Sequence, residues 1–476
     1  MSDPSSRLRE LPQISAILAD PRVASLMTGR RAEWMTRVVQ ANVETIREQL
    51  KTATGAVQAR PELTERLIDL IVTEAETLTS PGWTRVLNGT GVVVHTNLGR
   101  SCFSPAAAAA AQTVALHNSD LEFDLAGGAR GHRGRRVERK AALLAGAEDA
   151  LIINNNAAAV WLAVRFLSRG GRVLLSRGEV VAIGGSFRMH EILAETGCTL
   201  VEVGTTNRTT LADYESAMEP GSTVLKVHRS NFAVEGFTAE VSVEELAILC
   251  HENNCPLIYD AGSGAFYPYE KIGLPAGETL LVEDLATGAD LVTCSGDKLL
   301  GGCQAGIIFG NRERIAGLRE HPMRRALRVD KTTLAALDTT MTEYLSSPER
   351  PAIPTLDQLA LELPELTKRA EDLLKVLAEA APSGWQGTVV PGESSVGGGT
   401  FATTSIASRL LMWKAEKAEL ERCHQWLRLG DPALVGRMNQ EGLAIDLRTI
   451  DPAEMELVAE AFRVAWAQMN PRKRAE

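Results

Sequence analysis

Four apolar runs in this chain end on residues that can do chemistry. "LVTCSGDK" ends on Ser295, Asp297 and Lys298, and "LIYDAG" carries Asp260. "LIINNNAAAV" carries Asn154, Asn155 and Asn156, followed by small residues that open a helix. "TVLKVHRSNF" carries His228, Ser230 and Asn231. A lysine at the end of a buried strand is disfavoured as an ammonium, because desolvation lowers its pKa and leaves a nucleophilic amine. A carboxylate on a nearby strand end can hold a proton on a heterocyclic nitrogen. A helix start presents free backbone amides to a phosphate. Pyridoxal phosphate chemistry needs those three parts: a lysine for the Schiff base, an acid for the pyridine nitrogen and an amide nest for the phosphate. Each residue alone has an ordinary explanation as a surface lysine, a turn aspartate or a capping asparagine. Their joint occurrence on strand ends singles them out. Lys298, Asp260, Asn155, Asn156, Ser295 and His228 are therefore the candidate cofactor residues.

The elements that must position them are legible as a pattern. Seven short runs, 151–154, 172–176, 199–203, 223–227, 257–260, 290–294 and 306–309, are β-branched and almost continuously apolar. Strands buried on both faces read that way. Helical stretches such as "NAAAVWLAVRFLS" and "SVEELAILCHENN" lie between them, which predicts a mostly parallel sheet with crossover helices. Ligands in such sheets bind at the carboxyl ends of the strands. Residues 1–80 read as helices alone. From about residue 350 a proline-marked entry leads to a long helix, strand-like pieces and a final helix. The expected division is a helical segment at 1–80, a catalytic core at 81–350 and a small α/β domain at 351–476.

The chain has 476 residues and a net charge of −10, with 45% hydrophobic residues. An acidic protein does not hold nucleic acid through its overall charge. Anionic partners would have to meet local clusters, and two arginine-rich runs qualify, at 129–140 and 312–331. Residues 1–80 carry ten Lys and Arg against eleven Asp and Glu, so that segment is no basic arm. Arg30, Arg31 and Arg37 are its candidate RNA contacts. Seven cysteines without zinc-type spacing, and a polar start, point to reduced thiols in the cytoplasm and no metal site. Cys250, His251 and Cys255 read as neighbours by accident, and His95 and His132 as structural.

Eight motifs then resemble one family. "LNGTGVVVHTNLGRS" (87–101), "GARGHRGRRVE" (128–138), "INNNAAAV" (153–160), "SRGEVVAIGGSFRM" (176–189), "VGTTNRT" (203–209), "KVHRSNF" (226–232), "SGDKLLGGCQAGII" (295–308) and "HPMRRALRVDK" (321–331) look like those of the bacterial L-seryl-tRNA(Sec) selenium transferases. The run after the lysine has Cys303 where proline is common in that family.

The resemblance implies an aspartate-aminotransferase-like large domain of pyridoxal phosphate fold type I, with a mostly parallel seven-stranded sheet. It implies conversion of L-seryl-tRNA(Sec) to L-selenocysteinyl-tRNA(Sec) with selenophosphate, through a cofactor-bound aminoacrylyl intermediate. Lys298 would carry the cofactor and Asp260 would face its ring nitrogen. Arg100, Arg325 and Arg328 would bind selenophosphate, while Asn231 and Asp297 would line the site. A cytoplasmic homodecamer with active sites between subunits and a tRNA-gripping N-terminal domain would follow. Two rival readings fit parts of the chain: a pyridoxal phosphate lyase acting on a small substrate, and a non-catalytic RNA-binding assembly protein.

Overall fold

A computed structural model describes residues 7–27, 32–52, 59–80, 82–183, 187–275, 277–347 and 349–469. They form two compact units, Met1–Arg85 and Val86–Glu476.

In the first unit the described elements are helices. Helix α1 (Ala32–Thr52) turns Met35, Val38, Val39, Val43 and Ile46 inward, and α2 (Arg60–Thr79) turns in Leu63, Leu67, Ile68, Ile71 and Ala75. Three-and-four spacing places each set on one stripe, and the two stripes share a core with Ile17 and Val23. Arg37 is exposed on α1, while Arg30 and Arg31 lie outside the described residues.

The second unit is built on the seven expected strands: β1 (Asp149–Ile153), β2 (Arg172–Ser176), β3 (Thr199–Val203), β4 (Thr223–Val227), β5 (Leu257–Gly262), β6 (Leu291–Ser295) and β7 (Gly306–Gly310). They form one sheet in the order β1-β7-β6-β5-β4-β2-β3. Pairing is parallel from β6 through to β3, and β7 is antiparallel to both its neighbours. Every residue of β4, β6 and β7 is buried, which is why these runs lack a polar face. Alternate residues feed two separate cores. Leu174, Val224, Leu257, Val292 and Ile307 enter one, and Val173, Leu225, Ile258, Leu291 and Ile308 enter the other. Each such side chain contributes about 1.5–3 kcal/mol by leaving water.

Strands β4, β5 and β6 are adjacent and parallel, so their carboxyl ends meet on one edge. That adjacency brings His228, Asp260 and Ser295 together from positions far apart in the chain. Helix α3 (Asn156–Ser168) leaves β1 and packs Ala159, Val160, Leu162 and Val164 against the sheet.

A second, antiparallel sheet joins β8 (Gln386–Gly397), β9 (Thr400–Lys414), β10 (Arg437–Met438) and β11 (Leu443–Asp446) in the order β8-β9-β11-β10. Its core stacks Trp385, Trp413, Phe462 and Trp466. Fully buried Asp446 accepts from Ser394 Oγ (2.7 Å) and Ser408 Oγ (2.9 Å), and Arg448 Nε donates to Ser394 Oγ (3.1 Å). Those bonds pin the long β8–β9 hairpin. Val86–Asn88, at the start of the segment expected to be catalytic core, pairs with Ala433–Val435. Among the described residues no helix is long and apolar enough to cross a membrane.

Candidate active site

Lys298 sits in the turn after β6, only 6% exposed. The turn is held from outside: Ser101 Oγ donates to the carbonyls of Asp297 (2.8 Å) and Lys298 (2.7 Å), and Gly302 N donates to Gly296 O (2.9 Å). Burial lowers the Lys298 pKa, and the nearby Asp260 carboxylate only partly opposes it. No hydrogen bond or ion pair engages Nζ among the described residues. The amine is therefore buried, biased towards its neutral form and uncommitted.

Asp260, at the end of β5, accepts three donors on the same oxygen. Asn156 Nδ2 (2.8 Å), Thr293 Oγ1 (3.2 Å) and Gly262 N (3.2 Å) all meet Oδ1. Its other oxygen, Oδ2, has no donor among the described residues, although Asp260 lines the cavity. Burial pushes the carboxyl above the usual carboxylate range, and its hydrogen bonds oppose that. A cation placed at Oδ2 would reverse the balance.

Asn155 caps α3, its Oδ1 accepting from Ala158 N at 2.9 Å. The first amides of that helix, at Asn156 and Ala157, lie in the cavity wall. Gly306 of β7 lies directly against Asn155, where a Cβ would overlap the Asn155 carbonyl oxygen. Gly306→Ala is therefore expected to displace the cap. The measurement is phosphate-dependent cofactor retention, which should fall while the far-ultraviolet circular dichroism stays unchanged.

The cavity holds about 810 Å³ and is lined by Arg100, Asn155, Asn156, His228, Asn231, Asp260, Ser295, Asp297 and Lys298. Nine of the eleven expected site residues thus meet in one place. Arg100 Nη1 binds Asp297 Oδ2 at 2.7 Å, so the two charges cancel. Asn231 donates to Ala182 O (3.0 Å), and its buried Oδ1 has no partner among the described residues. His228 Nε2 lies 3.3 Å from Glu278 Oε2. Burial opposes charge on His228, but Glu278 outweighs it and raises the imidazole pKa, while His228 holds the buried Glu278 below its ordinary range.

Arg325 and Arg328 are not in this cavity. They line another, with Arg130, Arg133, Arg319 and Arg324. Arg328 is 3.3 Å from Glu122, and Arg324 Nε is buried without a partner among the described residues. Sequence reasoning missed Thr96, Asn97, Gln304, Gly398 and Gly399, which also line the Lys298 cavity. It missed Glu278 as well. Thr96, Asn97 and Gln304 lie inside the motifs at 87–101 and 295–308, and the triple glycine at 397–399 is a run that no regular strand would carry.

These features suit pyridoxal phosphate: a free Oδ2 for a ring N–H, an uncommitted amine and a capped helix start within one cavity. The fold and site define an α/β protein of the aspartate-aminotransferase-like, fold-type-I class. D-glucosaminate-6-phosphate ammonia-lyase shares the fold, with a TM-score of 0.58 at 21% identity over 82% of this chain and 98% of that one. The sequence profile of the L-seryl-tRNA selenium transferases matches residues 86–451. The L-seryl-tRNA(Sec) selenium transferase of Solidesulfovibrio magneticus is 47% identical over 80% of this chain and 82% of its own length. That of Nitratidesulfovibrio vulgaris is 40% identical over 96% and 98%, and that of Geobacter metallireducens 42% over 88% and 92%. The chain belongs to the L-seryl-tRNA(Sec) selenium transferase family.

Proposed function

We propose that this protein converts L-seryl-tRNA(Sec) to L-selenocysteinyl-tRNA(Sec), with selenophosphate as donor and pyridoxal phosphate as cofactor. The observation that carries it is the buried, uncommitted Lys298 amine lining one cavity with Asp260, whose Oδ2 is open. Bound there, the cofactor supplies an aldehyde and an electron-withdrawing ring that stabilises negative charge at the substrate α-carbon. Lys298 would hold the cofactor through its amine, and the free amine would take the proton from the substrate α-carbon and later return it. Asp260 Oδ2 accepts the ring N–H. The amides at the start of α3 receive the phosphate. Asn231 would be available to the substrate amine through Oδ1, and the Arg100–Asp297 pair would meet the substrate from the same cavity wall.

Attack on an aldehyde requires the neutral amine. Lys298 has a pKa below the ordinary 10.5, so the neutral fraction at a given pH exceeds that of a surface lysine. The rate of cofactor uptake by cofactor-free protein should rise with pH and level off below 10.5. Stopped-flow absorbance across the pH range checks this, and a rise that continues beyond 10.5 contradicts it.

The second arginine cavity is the donor site of this reading. Arg325→Ala should weaken selenophosphate use about tenfold or more, the loss of one charge-assisted contact, with cofactor absorbance retained. Equal loss of both contradicts the assignment. A donor held at Arg325 and Arg328 must reach a Lys298 cavity from which they are absent in the single chain. That supports a homo-oligomer with sites completed between subunits, and the ring of ten is what the family resemblance implies. Residues 1–80 grip tRNA(Sec) through Arg37 and shape rather than net charge. The reading places the protein in the cytoplasm, consistent with seven cysteines that are all free thiols.

The experiment is selenium transfer from selenophosphate to seryl-tRNA(Sec), run against free serine, with Lys298→Ala as control. Turnover of free serine alone favours a small-substrate lyase.

A further inference from the structure

The β8–β9 hairpin reaches the Lys298 cavity through three successive glycines. Gly397, Gly398 and Gly399 have φ of +81°, +65° and +72°. The tip is a two-residue turn with both central residues left-handed, a geometry glycine adopts without strain. At Gly398 space is as restrictive as angle, whereas at Gly399 a Cβ would make only ordinary contacts and the angle alone excludes it. A Cβ on Gly398 would lie 2.6 Å from Val94 Cγ1; one on Gly399 would lie 3.4 Å from Asn231 Cβ and 3.8 Å from Lys298 Nζ. Val93 N and Val94 N donate to Ser395 O (3.0 Å) and Val396 O (2.7 Å), holding one side of the hairpin.

A single buried carboxylate holds the other side. Phe401, the second residue past the tip, has φ +49°, a strained angle for a residue with a side chain, at a cost of about 1–3 kcal/mol. Packing against Tyr269 and a hydrogen bond from Phe401 N to Glu278 Oε1 (2.9 Å) maintain it. The other Glu278 oxygen meets His228 Nε2. Glu278 thus ties the hairpin tip to the strand end beside Asp260.

The tip offers amides and no charge. Gly398 and Gly399 line the cavity, and their N–H groups have no acceptor among the described residues. The guanidinium of this cavity, on Arg100, is bound to Asp297. A free carboxylate would find no uncommitted cation here and would leave water at a large penalty. An ester carbonyl is a neutral acceptor that a backbone N–H satisfies. The absence of side chains at the tip also leaves room for the group on the far side of the ester.

We propose that the Gly398–Gly399 tip is the subsite for the esterified carboxyl group of the substrate, with Glu278 as its positioning residue. The inference rests on the selenium-transfer reading in one respect, that the substrate is an aminoacyl ester. The tip would then select ester over acid by neutral hydrogen bonding, where an enzyme of free amino acids uses an arginine.

The test titrates L-serine methyl ester and L-serine against cofactor-loaded protein, reading the cofactor absorbance. The wild-type protein should bind the ester at least about tenfold more tightly than the acid. Gly399→Ala should weaken ester binding about tenfold and leave acid binding within about twofold, the size of one lost hydrogen bond. Glu278→Gln keeps the bulk of the side chain, tests the latch without touching the tip, and should weaken the ester selectively while raising KM for seryl-tRNA(Sec) more than it lowers kcat. Glu278→Asp should fall between Gln and wild type. Equal binding of ester and acid by the wild type overturns the subsite, as does equal weakening of both ligands in Gly399→Ala and Glu278→Gln. Protein that transfers selenium yet binds both ligands alike removes the subsite alone. Protein that selects the ester but transfers no selenium removes the selenium reading and leaves the subsite standing.

Discussion

Lys298→Ala protein is expected to fold, to keep its two units intact, and to transfer selenium at about 10⁻⁴ of the wild-type rate or less. The size follows from two losses at one atom. General base catalysis at the α-carbon contributes about 10²–10⁴-fold, and the amine is also the nucleophile that fixes the cofactor. Folding should survive, because the deleted group is an amine whose charge the site already disfavours. Its carbonyl, which receives Ser101 Oγ, is backbone and remains. Borohydride reduction of loaded wild-type protein, followed by peptide mapping, should put the label on Lys298 and nowhere else. A label on another lysine, or a Lys298→Ala variant within tenfold of wild type, removes the proposed chemistry altogether.

Asp260 carries the second large effect, and two substitutions separate its electrostatic part from its structural part. Asp260→Asn keeps an acceptor for Asn156 and Thr293 but turns an N–H₂ towards the cavity, where the ring N–H would need an acceptor. Turnover should fall about 10²–10³-fold, the range for losing one preorganised electrostatic partner, with the melting temperature almost unchanged. Asp260→Ala does more. Asn156 Nδ2 and Thr293 Oγ1 lose their shared acceptor, at about 1–3 kcal/mol for each group left unpaired in the interior. That variant should melt several degrees lower and bind cofactor weakly. A calorimetric scan alongside the rate assay distinguishes the two. Equal melting temperatures for Asn and Ala would mean that the three bonds on Oδ1 contribute nothing to stability.

How much of this was legible in the chain depends on the range of the interaction. Strand β6 is readable because every residue from Leu291 to Ser295 is buried, so the run carries no charged residue to interrupt it. The chemical residues stand directly after such runs, so their place on the sheet edge followed from a local pattern and one topological rule. The Asn155 cap was readable for the same reason, since it acts on an amide three residues away. The Arg100–Asp297 pair was not, because its partners are 197 residues apart. Arg325 and Arg328 looked equivalent to Arg100 by type, yet they line a different cavity. Spacing along the chain carries no information about which of two cavities a distant arginine enters.

The amino-acid sequence by itself determined the seven strands of the first sheet and the residues on their carboxyl ends, and its motifs carried the family resemblance, although β3 at the sheet edge is buried only at Val203. The strands and their ends are consequences of hydrophobic periodicity, capping and turn chemistry, all of which act over a few residues. Only the tertiary structure decided that Asp260 spends one oxygen on three donors and keeps the other open. Only it placed a glycine hairpin from the second sheet beside Lys298 and fastened it through Glu278. The first depends on how β1, β5 and β6 align within one sheet, and the second on a hydrogen bond from Phe401 N to Glu278 across 123 residues; burial, with the hydrogen bonds it makes obligatory, selects both.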